Sequence, residues 1–214
     1  MDILRWQADQ GITGNLLEIG VFCGKYFAVL VDSAIATDST ALGIDTFQYS
    51  PEQRVVDELG RVFGPDGKKS FAIWRRQSSS VTPHEIAAAI QQPRFISIDG
   101  AHDFENVYRD LLLCEQVLGS EGVIAVDDFL NPLTIGVNQA VNAFLSTPRA
   151  VVPVAYISNK LFLAHRSNED RYRSAIESMI MEGDEPQSVN FRTNIQKGRH
   201  NVEQDFHGHK IVLS

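Results

Sequence analysis

"LLEIGVFCGKYF", residues 16–27, decides the fold. The apolar run Leu16-Leu17-Glu18-Ile19 breaks at Gly20, and a helical pattern follows from Lys25. A buried strand, a tight glycine turn and a helix N-terminus form a unit that holds cofactors. Two phosphate-binding readings fit it poorly. A Walker A loop needs G-x-x-x-x-G-K-[ST], but Gly20 to Gly24 is one residue short, and Tyr26 stands where a magnesium-binding hydroxyl belongs. A dinucleotide turn needs G-x-G-x-x-G, but Phe22 occupies the second glycine position and would obstruct a pyrophosphate.

Working outward, short apolar runs alternate with helical patterns. Strands are expected at 41–45, 71–75, 94–99 and 122–128, and a closing hairpin at 151–157 and 160–165 around Ser158-Asn159. Helices are expected at 25–36, 50–63, 82–90, 105–118 and 133–145. Thr82 with Glu85 makes a capping box, and Pro83 suits the first helical position. This alternation predicts an α/β fold: a Rossmann-like, open, mostly parallel sheet of about seven strands with helices on both faces. Residues 1–165 are expected to form the cofactor-binding domain. Residues 166–214 read as a helix and an irregular polar tail packed on it, serving as a homo-oligomer contact or a lid.

Bulk properties narrow the function. The 214 residues are 43% hydrophobic, enough for one sizeable core. The net charge of -8, without a basic stripe, argues against a nucleic-acid partner. No apolar run approaches the length of a membrane span, and the first ten residues carry Asp2, Arg5 and Asp9, unlike a secretory leader. A cytoplasmic protein without a membrane partner is the expectation. Cys23 and Cys114 make neither a disulfide framework nor a zinc site.

Carboxylates end three of the expected strands: Asp45, Asp99, and the pair Asp127-Asp128. In an open parallel sheet all of them reach the carboxyl edge, where ligands bind. Like charges converging there repel unless a cation lies between them, and carboxylate oxygens suit magnesium, manganese or calcium. The plainer alternative is that these aspartates cap helices and turns.

"EIGVFCG" resembles the first motif of class I S-adenosylmethionine (SAM) methyltransferases in its E-x-G-x-x-x-G form. "IDGAHDFENVYRDL" (98–111) followed by "EGVIAVDDF" (121–129) is similar to the paired motifs of metal-dependent O-methyltransferases, the macrocin and sugar branch in particular, with Phe104 replacing a tyrosine. The likeness spans about residues 15 to 165. It implies a SAM-dependent O-methyltransferase acting on a hydroxyl of a small molecule, a sugar or other vicinal diol, with a divalent metal, magnesium first. It also implies site roles. Glu18, Gly20, Gly24, Asp45 and Asp99 would bind the cofactor, with Ser78 and Ser79 beside adenine. Asp99, Asp127 and Asp128 would hold the metal, and Asp99 or His102 would take the proton. Two alternatives stay open: a metal-independent methyltransferase, and a catalytically silent SAM-binding or oligomerisation domain.

Only about fifteen residues precede the first strand, so cover for the acceptor must come from 47–53, from the loop after Asp128 or from the tail. Trp6 is expected to pack in the core at the sheet edge rather than close over the cofactor. Arg192, Lys197 and Arg199 make the tail locally basic, which would suit an anionic acceptor such as a nucleotide sugar. His200, His207 and His209 lack the partners of a zinc site.

Overall fold

The computed structural model describes residues 2–198 and 202–214, with the side chains of Asp2 and Asp66 excepted; Arg199 and His200 lie outside the described residues. Near-continuous apolar segments become the central strands because helices cover both of their faces. Strands β1 (Leu16–Ile19), β2 (Ala41–Asp45), β3 (Phe71–Arg75), β4 (Phe95–Ile98) and β5 (Val123–Val126) are parallel, in the order β3-β2-β1-β4-β5. The hairpin of β6 (Val151–Ile157) and β7 (Lys160–His165) closes on β5 through β7, antiparallel. Ser158 and Asn159 both have positive φ, 49° and 71°, as a tight two-residue hairpin turn requires.

Among the described residues the sheet has nine strands, not about seven. The polar segment expected to be irregular continues the sheet beyond β6. After α7 (Glu169–Glu182) and α8 (Pro186–Gln196), strands β8 (Glu203–Phe206) and β9 (His209–Leu213) form a second hairpin, and β9 runs parallel to β6. β8 is an edge strand with three exposed residues in sequence, so no apolar alternation announced it.

Two hydrophobic layers flank the sheet. α4 (Pro83–Ile90), α5 (Phe104–Val117) and α6 (Ile135–Leu145) bury their apolar stripes on one face. α1 (Asp2–Asp9), α2 (Lys25–Ala36), α3 (Glu52–Gly67), α7 and α8 cover the other. α3 is broken at Gly64, where Pro65 removes a donor. α4 carries the expected capping box, Thr82 accepting from the Glu85 amide and Glu85 accepting from the Thr82 amide. Trp6 packs on Tyr172, ring centroids 5.2 Å apart. Among the described residues no helix is long and apolar enough to cross a membrane.

Candidate active site

The carboxyl ends of β1, β2, β4 and β5 meet at one edge. Backbone ladders run past the strand ends: Gly20 donates to Ile44, Asp99 to Ile19, and Asp127 to Ile98, at 2.9, 2.8 and 3.0 Å. These bonds fix the glycine turn against the two later acidic strand ends. Gly20 has φ 94°, and a Cβ there would stand 1.9 Å from the carbonyl oxygen of Asp99. Its glycine is therefore demanded by the packing of β1 on β4, before any cofactor is considered. Gly24, with φ 78°, ends the turn and faces Val55 of α3.

Asp45 reaches across to the turn. Its carboxylate accepts from the backbone amides of Phe22 (2.7 Å) and Phe47 (2.5 Å). Both phenylalanines have positive φ, 48° and 54°, and so does Asp128, at 60°. Such strain in non-glycine residues gathers at functional sites. Each Asp45 oxygen keeps a further lone pair for a ligand hydroxyl.

Beneath the turn, Glu18 is buried, and its Oε2 has no hydrogen-bond partner; the buried hydroxyl of Tyr26 has none either. Burial, then the nearby Asp99 charge, hold the Glu18 carboxyl well above the usual range. Burial and Glu18 raise the Tyr26 phenol as well. Two orphaned polar atoms at a glycine turn suit the polar end of a ligand that brings its own donors.

Asp99, His102 and Asp128 converge, each offering an atom within 4.8 Å of the others. His102 Nε2 lies 3.3 Å from Asp128 Oδ2 and 3.9 Å from Asp99 Oδ1. Asp128 Oδ1 accepts from the side-chain amides of Asn159 (2.6 Å) and Asn131 (3.0 Å), which leaves Oδ2 for the imidazole. Asp103 caps α5 immediately after His102 by accepting from the Asn106 amide, which anchors that loop. Burial and the adjacent Asp127 push Asp99 up to about 6. Asp127 itself, expected beside Asp128 as a metal ligand, is not in this trio. Its Oδ2 is ion-paired with Lys160 of β7, whose ammonium also lies 4.6 Å from the Tyr26 ring centre. Ser78 and Ser79 sit in a 3₁₀ turn after β3 that packs against α5.

Sequence reasoning missed Lys160, Tyr26, Asn131 and Asn159. Nothing local marks Lys160 and Asn159, because their partners lie 33 and 31 residues away, whereas Asn131 stands three residues from its partner Asp128.

The residues match a known family over 17–129, just over half of the chain, under the description methyltransferase domain. The chain belongs to the methyltransferase-domain family. Its fold is the Rossmann-like fold of class I SAM-dependent methyltransferases. Solved structures with the same fold include a TDP-rhamnose 3′-O-methyltransferase of calicheamicin biosynthesis, TM-score 0.60 and 18% identity over 76% of each chain. An O-methyltransferase from Bacillus cereus, solved with SAH, aligns at TM-score 0.58 and 15% identity over 76% of this chain and 77% of that one. TomG from Streptomyces achromogenes, solved with SAM, aligns at 0.58 and 14% over the same shares. No curated protein matches the chain in sequence.

Of the basic tail residues, Arg192 is engaged within the fold, and Arg199 lies outside the described residues. Arg192 donates to the carbonyls of Ile180, Met181 and Gly183, so its guanidinium caps the end of α7. His207 pairs with Asn142 and His209 with Glu169.

Proposed function

We propose that this methyltransferase moves the methyl group of SAM to a hydroxyl of a small molecule, a sugar or another vicinal diol, with divalent-metal assistance. One observation carries the reading: Asp99 belongs to two constellations at once. Its backbone packs on Gly20 of the cofactor turn, and its carboxylate converges with His102 and Asp128. Cofactor and acceptor chemistry therefore share one edge. Residues 1–165 are assigned to the catalytic domain of a cytoplasmic enzyme and 166–214 to an appendage on it.

The cofactor fits these residues. Asp45 would take the ribose hydroxyls, and the orphaned Glu18 oxygen would take the ammonium of the methionine moiety. Ser78 and Ser79 would lie beside adenine. The cation fits Asp99, His102 and Asp128, two carboxylates and one imidazole, better than the expected three aspartates, because Asp127 is engaged by Lys160. Bound there, it would orient two neighbouring acceptor oxygens and stabilise the alkoxide charge that develops. Without a cation, His102 or Asp99 would take the hydroxyl proton; with one bound, both would serve as its ligands. In that cation-free case Asp99, pushed up to about 6 by burial and by Asp127, is a better base near neutrality than an ordinary aspartate.

A second reading, metal-independent transfer, draws on Lys160: its ammonium already offsets one carboxylate of the cluster. Transfer from labelled SAM to a sugar panel, with and without EDTA, separates the two. The metal-assisted reading predicts that activity vanishes with EDTA and returns with magnesium or manganese. Activity indifferent to EDTA selects the second. In either case His102→Ala lowers kcat by about 100-fold, through loss of a cation ligand in the first reading and of a general base in the second. Unchanged kcat would remove His102 from the reaction.

A further inference from the structure

The tip of the β6–β7 hairpin meets the two adjacent aspartates at the end of β5. β5 and β7 pair antiparallel, with Val126 opposite Leu161. The same register, carried one and two residues further, sets Asp127 opposite Lys160 and Asp128 opposite Asn159. The side chains follow it. Asn159 donates to Asp128 Oδ1 at 2.6 Å, and the Lys160 ammonium pairs with Asp127 Oδ2. The two-residue turn holds this register, since Ile157 pairs with Lys160 across it.

Both oxygens of Asp127 are thereby engaged: Oδ1 accepts from the Asp128 amide at 2.9 Å, and Oδ2 takes Lys160. The pair is not a surface contact. The side chains of Lys160 and Asp127 are 16% and 21% exposed, and the ammonium also faces the Tyr26 ring. Breaking such a pair leaves a charge largely out of water without a partner, so it is not given up readily. Asp127 nevertheless lies beside the trio, and it acts on Asp99 more strongly than Asp128 does. Lys160 is the cation that acts on both Asp99 and the buried Glu18. The edge therefore carries a fixed positive charge where a divalent ion would otherwise gather a third carboxylate.

From this geometry we infer that Lys160 sets the cation affinity of the site. Its ammonium withholds Asp127, so that a divalent ion has Asp99, His102 and Asp128 for ligands and keeps its remaining positions for water and acceptor oxygens. The inference rests on the metal-assisted reading above and adds to it the residue that decides how tightly the ion is held. Lys160 is a positioning residue: it acts on the ion through Asp127.

Electron paramagnetic resonance of Mn²⁺ titrated into the full chain tests it, since free and bound ion are read directly and no turnover is needed. Lys160→Met frees Asp127 and removes the opposing charge, and should tighten Mn²⁺ binding by about tenfold at constant pH. Lys160→Gln should do the same, which keeps the test open if the methionine variant does not fold. Lys160→Arg, which keeps the charge, should stay near the wild-type value. Adding Asp127→Asn to Lys160→Met should abolish the gain. A residue with a merely structural role would not tighten ion binding when removed. Three results overturn the inference: Mn²⁺ binding equal to or weaker than wild type in both charge-removing variants, a gain that survives Asp127→Asn, or no Mn²⁺ bound by any form of the protein. S-adenosylhomocysteine titrated into the wild type reads the methyltransferase assignment by itself. Cofactor binding without the Mn²⁺ gain sinks the inference alone, and absence of cofactor binding sinks the assignment.

Discussion

Asp110 shows how much a single residue can reveal about the site. It is buried in α5, and its Oδ2 has no hydrogen-bond partner. Burial pushes it up to about 7. Its folded value lies above its unfolded value, so it favours folding in the protonated form. That stability is fully present below about pH 4 and is lost as pH rises through about 7. Melting temperature should therefore fall between pH 5 and pH 8, and Asp110→Asn, which stays neutral, should flatten the fall. An equally steep profile in the variant would place the ionisation elsewhere. Asp45, Asp99 and Asp128 were legible in the sequence because each ends an apolar strand, and the topology of a parallel sheet brings such ends together. Lys160 and Asn159 were not, since a hairpin's side-chain reach across β5 depends on register, which local pattern does not encode.

At the scale of elements, α1 is attached through a buried polar knot rather than through apolar area alone. The Arg94 guanidinium donates to Gln7 Oε1 (2.8 Å) and to the Ser33 hydroxyl (2.9 Å). Gln7 in turn donates to the Arg94 carbonyl and to Tyr172. No carboxylate is among these partners of the buried cation, so each neutral acceptor matters. Gln7→Leu should cost about 2–3 kcal/mol in a denaturant titration, since it leaves a charged donor buried and unpaired. A loss below 0.5 kcal/mol, the scale of an ordinary surface substitution, would show that the knot does not hold α1. The parallel core, its helices and the first hairpin were readable from periodicity and caps. β8 and β9 were not: an edge strand reading Glu203-Gln204-Asp205-Phe206 lacks an apolar face. The positive φ of His207 and Gly208 marks their turn only once the backbone is seen.

Across the whole molecule, stability should be uneven. β1, β4 and β5 are fully buried, whereas β9 joins β6 through two residue pairs and β8 is largely exposed. Hydrogen exchange should protect the central amides most and release the β8–β9 hairpin first. Uniform protection would contradict this division between a rigid central sheet and a more easily opened C-terminal hairpin. The central claim, that the glycine turn and Asp45 form a SAM site, is tested most directly by calorimetric titration of S-adenosylhomocysteine, with NAD as the control and Asp45→Asn alongside. The account predicts saturable binding of S-adenosylhomocysteine, none of NAD, and a loss of about tenfold or more in the variant, as for a charge-assisted hydrogen bond. Absence of binding, or binding of NAD instead, would contradict it.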